Sequence, residues 1–487
     1  MPGSGICYFI PFLIFKEKLL VLKIKHLRTI IRLKNYPAVS YTRGYLKDLY
    51  DRTTETNTRL KTQLLQFIPF LVASLVTGIV AVLYSKVFSY SEDLSIYLFH
   101  LNKYLIFLVT PLCFLLSWWL VRRFAPYSKG SGIPQVMAAV ELNKPQERVL
   151  IQRFLSLRII IVKILSSAVK IIGGGIAGRE GPTIQIDSSI FYKVHKWLPK
   201  WWPPISQSNI LIAGAASGLA AAFNTPLGGI IFAIEELSKF HVKHYKSPLF
   251  IAVIVAGLTA QGLGGPYLYL GYPKLDTSEW LLTAGVVMTA IVAGFFGSKM
   301  CVLLLKVMQL FKRFSRTWQQ VAIVLFCGLF VASFIFFFGT EAMGSGKELM
   351  ERTLFTADKK VEWYTPFIRM NGLIASFSFG GAGGVFAPSL SSGASIGAFL
   401  AVLMHFRGPG ANLIILIGMT AFLTGVTRAP FTSAIIIFEM TDRHSVIFFL
   451  LLGAIVANVV ASFADKHPFY DRLKASYLKE VKPAEVV

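Results

Sequence analysis

The chain has 487 residues, 54% of them hydrophobic, and a mean hydropathy of +0.59; a soluble protein of this length carries less apolar content and clearer polar alternation. Lys and Arg number 49 against 25 Asp and Glu, a formal net charge of +24. The basic residues are spread among hydrophobic spans and form no patch interleaved with aromatics, which argues against nucleic acid as a partner and for the positive bias of cytoplasmic loops.

Apolar runs recur, several near the roughly 20 residues that a helix needs to cross a bilayer. The pattern predicts an all-α polytopic membrane protein in contact with lipid. Residues 1–63 read as a cytoplasmic N-terminal segment. Residues 7–15 are apolar but too short to span, and the basic residues follow them instead of preceding them as in a signal peptide. Leu46, Leu49 and Tyr50 are spaced as one face of an amphipathic helix. Predicted spans follow at 64–87, 104–124, 149–172, 210–237 and 249–270. A second set covers 280–311, 321–338, 367–379, 386–404, 413–423 and 445–463. The transmembrane domain is thus expected over 64–480, in halves of about 64–270 and 275–480, with a tail at 481–487. Several spans are too short or too broken by Gly and Pro to cross as straight helices, the pattern of transporters whose substrate site lies near mid-membrane.

Three glycine–proline breaks stand out. They are Gly130-Ser131-Gly132-Ile133-Pro134, Gly178-Arg179-Glu180-Gly181-Pro182 and, in Gly380 to Pro388, Gly384-Val385-Phe386-Ala387-Pro388. Each runs from a glycine loop through proline into an apolar helix. The second and third sit in opposite halves, as structural repeats would place them. Glu180 stands out because a carboxylate inside an apolar span costs roughly 2.5 kcal/mol or more on insertion scales. Pro182 suits a first helical turn, which puts Glu180 just before a helix N-terminus, where free N–H groups attract negative charge. Small residues at such breaks also serve close helix packing. Three breaks together, one holding an Arg-Glu pair, favour an anion pathway built from helix N-termini.

Other motifs carry less. Gly173, Gly175 and Gly178 match a dinucleotide fingerprint, but a long helical run precedes them where a strand is required. Gly344-Ser345-Gly346-Lys347 resembles a phosphate loop, yet Glu348 replaces its Ser/Thr and Glu341 its first glycine. Glu235-Glu236 could be a hydrolytic dyad, but no nucleophile or metal ligand accompanies it, so the chain does not read as an enzyme. Cys7, Cys113, Cys301 and Cys327 show no metal spacing and read as free thiols. His241 and His244 share a helix spacing but lack a third ligand. No metal and no cofactor is expected.

The three breaks, in order, resemble the signature motifs of the CLC family of chloride channels and chloride/proton antiporters. Ala222-Phe223-Asn224-Thr225-Pro226-Leu227 with Ile234-Glu235-Glu236 is similar to the family's Phe-Asn-x-Pro-Leu helix pair. Arg428-Ala429-Pro430, Phe438-Glu439-Met440-Thr441-Asp442 and His467-Pro468-Phe469-Tyr470 fit its later helices. The resemblance covers residues 64–480 and implies a CLC-type fold: many tilted and partial helices in two inverted repeats, assembled as a homodimer with an anion pore in each subunit.

What the resemblance implies for the site is specific. The Ser131 and Tyr470 hydroxyls and the backbone amides of Val385 and Phe386 would bind a dehydrated chloride. Glu180 would be the gating glutamate, with Gly181 contributing backbone to an outer site. Neutral donors suit chloride, because they replace its water without holding it too tightly to leave. Ionised Glu180 would mimic the anion; protonated, it would leave. Glu236 matches the inner proton-transfer glutamate, with Glu235 beside it expected on the same internal proton path, and favours a chloride/proton antiporter over a passive channel on the same scaffold. Lys163, with Arg179, would raise the positive potential of the pore. Ser131 points to chloride over nitrate, and the intact first and second motifs depart from the fluoride-exporting branch.

The chain also differs from familiar bacterial members. Gln135 and Met137 stand where those carry acids, one of which would neutralise Lys163. Asp187-Ser188 replaces small glycines. The sequence ends near Val487 without the regulatory nucleotide-binding domains of many eukaryotic relatives, which points to a minimal protein of the plasma membrane, the inner membrane of a bacterium.

Overall fold

The computed structural model describes residues 58–142, 144–238, 246–265, 269–275, 280–357, 359–441 and 444–482. The amphipathic stretch at Leu46 to Tyr50, Cys7, and the His241–His244 pair lie outside them, as do most of the expected N-terminal segment and tail. Among the described residues the chain is helical, and its only extended pairings are two isolated β-bridges, Gly130 with Ala382 and Gly178 with Gly384.

In the first half the helices are α1 (Thr58–Leu101), α2 (Ile106–Phe124), α3 (Ile133–Glu141), α4 (Arg148–Phe154), α5 (Leu157–Ile172), α6 (Glu180–Trp197), α7 (Gln207–Phe223), α8 (Pro226–Phe232) and α9 (Lys246–Gly264). The second half has α10 (Trp280–Lys312), α11 (Thr317–Phe338), α12 (Lys347–Phe355), α13 (Thr365–Ser378), α14 (Phe386–Leu403), α15 (Gly408–Thr427), α16 (Pro430–Thr441), α17 (Ile447–Ala464) and α18 (Phe469–Val481). With 44 residues, α1 is longer than the predicted 64–87 span; at about 1.5 Å per residue it exceeds any bilayer core.

Two predicted spans prove to be broken. The 149–172 run divides into α4 and α5, because Leu155 and Ser156 are extended and the Ser156 hydroxyl accepts from the Ile159 amide, starting a new helix. The 210–237 run divides into α7 and α8. Asn224 ends α7 at φ 58°, in the left-handed region that its short polar side chain tolerates, and Pro226 opens α8. A single π-type turn, Ala233–Leu237, follows α8. The 413–423 span extends at both ends into α15.

Small residues let the central helices touch. Where α14 crosses α15, a Cβ on Gly397 would lie 2.7 Å from the Ile414 carbonyl oxygen, so only glycine permits that approach. Both helices are buried along nearly their whole length. The outer helices instead expose large apolar side chains such as Leu83, Leu112, Leu258, Phe326 and Phe448. Hydrocarbon solvates that surface at no cost, and among the described residues eight helical segments are long and apolar enough to cross it.

The order of elements repeats. A loop feeds α6, then α7 and the short α8; a second loop feeds α14, then α15 and the short α16. Arg428, at φ 63°, ends α15 as Asn224 ends α7, and each is followed two residues later by the proline that opens the next helix.

Candidate functional site

The three glycine–proline loops meet. The Gly130 amide donates to Gly381 O (2.9 Å), and the Gly383 amide donates back to Gly130 O (3.1 Å). Gly178 and Gly384 exchange two hydrogen bonds, at 2.9 and 2.7 Å. These four bonds join the N-terminal ends of α3, α6 and α14. The first amides of a helix have no acceptor within it and carry its positive dipole end.

Glycine is required at two of the contacts. Gly132 has φ 105°, and a Cβ there would come within 2.9 Å of Gly181 O. A Cβ on Gly181 would overlap Ser131, whose carbonyl oxygen would be 2.9 Å away. The first and second motifs are therefore in backbone contact.

Glu180 is the first residue of α6, not the residue before it, and is fully buried. Its Oε2 accepts from the Ala387 amide in the first turn of α14 at 3.4 Å, and its Oε1 has no hydrogen-bond partner. The carboxylate of the second motif thus rests on the helix start of the third, next to Val385, which flanks that helix, and Phe386, its first residue. The Ser131 and Tyr470 hydroxyls are neighbours, both buried, and among the described residues neither has a hydrogen-bond partner outside that pair. Buried hydroxyls are ordinarily bonded, so this pair is an exception that calls for a reason.

Glu236 is buried, and both it and Glu180 lie within electrostatic range of the Tyr470 hydroxyl. Glu235, adjacent in sequence, does something different. Its carboxylate accepts from the amides of Phe431 (3.1 Å) and Thr432 (2.7 Å) and from the Thr432 hydroxyl (2.6 Å), capping α16.

Lys163 is fully buried on α5 and donates to Ser128 O (2.9 Å) and Gly130 O (2.8 Å), which fixes the first loop. Among the described residues it has no ion pair. Gln135 turns its amide to Lys129 O (2.6 Å) and to the Tyr477 hydroxyl (3.2 Å). Arg179 is bonded to Ser85 and lies 5.9 Å from the Tyr269 ring. It lines a cavity of about 190 Å³ together with Lys86, Asn224, Gln261 and Lys347, a cationic approach to the second motif.

Sequence reasoning assigned no role to three further residues. Lys170 is fully buried two turns along α5 from Lys163. Arg369, a lone charge in an apolar span, is fully buried on α13 and holds the Glu341, Met343 and Gly344 carbonyls and the Ser391 hydroxyl. Glu439 caps α8, accepting from the amides of Leu227 (2.9 Å) and Gly228 (2.6 Å). The depth of the first two in apolar runs was a signal in the sequence; the third has none without the fold. Cys113, Cys301 and Cys327 are free thiols, and the described residues hold no group of three potential metal ligands.

Interrupted helices whose N-terminal ends converge on buried donors define a polytopic membrane protein of the broken-helix transporter class. The chain belongs to the voltage-gated chloride channel family, whose sequence model matches residues 113–462. It is 29% identical over 447 residues to the H(+)/Cl(-) exchange transporter ClcA of Citrobacter koseri, covering 86% of this chain and 90% of that protein. The ClcA protein of Salmonella arizonae matches equally, at 29% over 447 residues and the same 86% and 90%. Among solved structures, a slow cyanobacterial Cl-/H+ antiporter superposes with a TM-score of 0.75 at 24% identity, covering 85% of this chain and 98% of that one. A CLC-type fluoride/proton antiporter gives 0.69 at 20% identity, with coverage of 85% and 98%.

Proposed function

We propose that this chain is a chloride/proton antiporter of the plasma membrane, the inner membrane of a bacterium, working as a homodimer with one anion pathway per subunit. The observation that carries the proposal is the place of the Glu180 carboxylate, which accepts an amide at the start of α14 beside the orphan hydroxyls of Ser131 and Tyr470. A chloride ion and an ionised Glu180 want the same donors and so compete for them.

In this reading chloride is the cargo, bound by Ser131 Oγ, Tyr470 OH and the amides of Val385 and Phe386, with Gly181 backbone facing the outer position. Protonation of Glu180 removes its charge and its hold on the Ala387 amide, and the side chain gives way to chloride. Glu236, within electrostatic range of Tyr470, exchanges that proton with the inner solution. One proton then trades against anion occupancy, which couples the two fluxes. The names of the ClcA relatives agree with this exchange. The homodimer draws support from exposed apolar residues on α16 and on α8 and α17, each packed against it, including Phe431, Leu227 and Ile455. The reading assigns no enzymatic activity.

The test is reconstitution of the full chain into liposomes under a chloride gradient with no pH gradient. An antiporter drives protons opposite to chloride until the reversal potential departs from that of chloride. Chloride movement with no proton movement would instead make the chain a passive channel on the same scaffold. Substrate turnover without ion flux would make it a membrane enzyme.

A further inference from the structure

A strip of four polar residues runs along the buried side of α5: Lys163, Ser166, Ser167 and Lys170. Positions seven apart lie on one face of a helix. This face meets the backbone of the converging loops. Lys163 donates to Gly130 O, and the Ser166 hydroxyl accepts from the Ala382 amide at 3.1 Å. The Lys170 ammonium packs on Gly383, where an added Cβ would lie 2.8 Å from Lys170 Cε and overlap Nζ. Gly383 is the residue that donates to Gly130 O, and it immediately precedes the Gly384-Val385-Phe386 stretch. The two ammonium groups therefore flank one backbone hydrogen bond behind the proposed anion site.

Lys170 is poorly served as a hydrogen-bonding group. An ammonium has three donors. Among the described residues, Lys170 Nζ has one hydrogen bond, to Ser376 O at the long distance of 3.3 Å, and stands 5.8 Å from the Phe379 ring. Among the described residues no carboxylate pairs with it. A fully buried ammonium without a counter-charge costs several kcal/mol, even after relaxation. A nearby bound anion removes that cost.

We propose that Lys170 is a positioning residue whose buried ammonium, packed on Gly383 and paired with no carboxylate, is the second counter-charge of the anion site and tightens its hold on a halide. The inference rests on the chloride site proposed above. Lys163 holds the first loop through two carbonyls. Lys170 lends little bonding to the third loop and acts on the anion mainly through charge.

The experiment is calorimetric titration of chloride into the detergent-solubilised full chain, after exchange into a chloride-free buffer, for wild type, K170M, K170Q and K170R. Monodispersity on size exclusion verifies folding, and K170Q serves where K170M is not recovered. Both neutral variants should bind chloride about tenfold more weakly, the scale of one unit charge removed close to a buried anion; K170R should bind within about threefold of wild type. Wild-type affinity in a folded neutral variant overturns the proposal, as it would if Lys170 were held as a neutral amine. K170R as weak as K170M also overturns it, because shape and not charge would then matter. The double variant S131A/Y470F, measured alongside, separates the two levels. If it binds as wild type, the placement of the chloride site fails; if it weakens binding and the neutral Lys170 variants do not, only the counter-charge fails.

Discussion

Glu235 and Glu439 cap each other's helices. Glu235, just beyond α8, accepts from the first amides of α16, and Glu439, near the end of α16, accepts from the first amides of α8. The two short helices lie against each other with each N-terminal dipole met by a carboxylate carried on the other. Both follow a helix ended by a left-handed residue and opened again by proline, Asn224 to Pro226 and Arg428 to Pro430. The repeat between halves is therefore one of capping chemistry as well as of element order. It also parts the neighbouring acids Glu235 and Glu236, since one closes a helix end and the other is buried toward Tyr470.

Glu235→Gln and Glu439→Gln should each lower stability by about 1 kcal/mol, because a neutral amide retains only part of a charge-assisted cap. Their effects should be non-additive, since both caps act on one helix pair. Thermal unfolding in detergent of the two single variants and the double measures this, and simple additivity would show that the caps are independent. Glu236→Gln should leave the unfolding temperature nearly unchanged and abolish proton movement while chloride still flows. Proton coupling intact in Glu236→Gln would remove that residue from the pathway.

Glu180→Gln keeps the side chain's shape and removes its charge. Without the charge it no longer competes with chloride for the start of α14, so chloride flux should persist and become indifferent to pH on either side. The reversal potential in liposomes should move to that of chloride. A reversal potential still displaced by a pH gradient would show that Glu180 does not carry the coupled proton.

Arg369→Met should destabilise the fold by about 3 kcal/mol or more, because three backbone carbonyls lose their donor in a buried place. The residues released are the 341–344 turn and Ser391 on α14, all held by this one guanidinium. A melting temperature several degrees lower, with chloride flux per folded protein preserved, is the expected result. An unchanged melting temperature would mean the turn finds other donors.

Much of this was legible in the sequence, for physical reasons. Glycine loops followed by proline announce helix starts, and the three of them do converge. A carboxylate in an apolar span is too costly to be incidental, and Glu180 lies where the loops meet. Span limits were less legible. Hydropathy sees α4 and α5 as one run, since the break at Leu155 and Ser156 is made by one small cap that leaves the apolar character unchanged. Glu235 shows the other limit: its acidity is plain, but its partners at Phe431 and Thr432 are remote in sequence, and only the fold shows that it is a cap. Lys170 and Arg369 could have been weighed by the argument applied to Glu180, as buried charges in apolar runs.

The last helix carries Tyr470 at one end and is tied down along the rest of its length by ion pairs. Lys474 reaches Glu141 at 2.9 Å, Lys129 reaches Glu480 at 3.2 Å, and Lys482 bonds Glu147. The hydrogen bond from Lys482 holds the Glu147 carboxyl below its ordinary value of 4.5, against the opposing effect of burial. A depressed carboxylate contributes stability that is complete above its unfolded value and is lost as pH falls through its folded value. The tie should therefore stay intact at neutral pH and release only below about pH 4.5, well under the range in which transport is assayed. Hydrogen exchange of residues 474–482, followed from pH 7 downward and corrected for intrinsic rates, should show protection falling in that acid window. Glu147→Gln should show reduced protection already at pH 7 and a weaker acid transition. Equal protection in wild type and Glu147→Gln across the whole range would mean that Lys474 and Lys129 anchor α18 without help from Lys482.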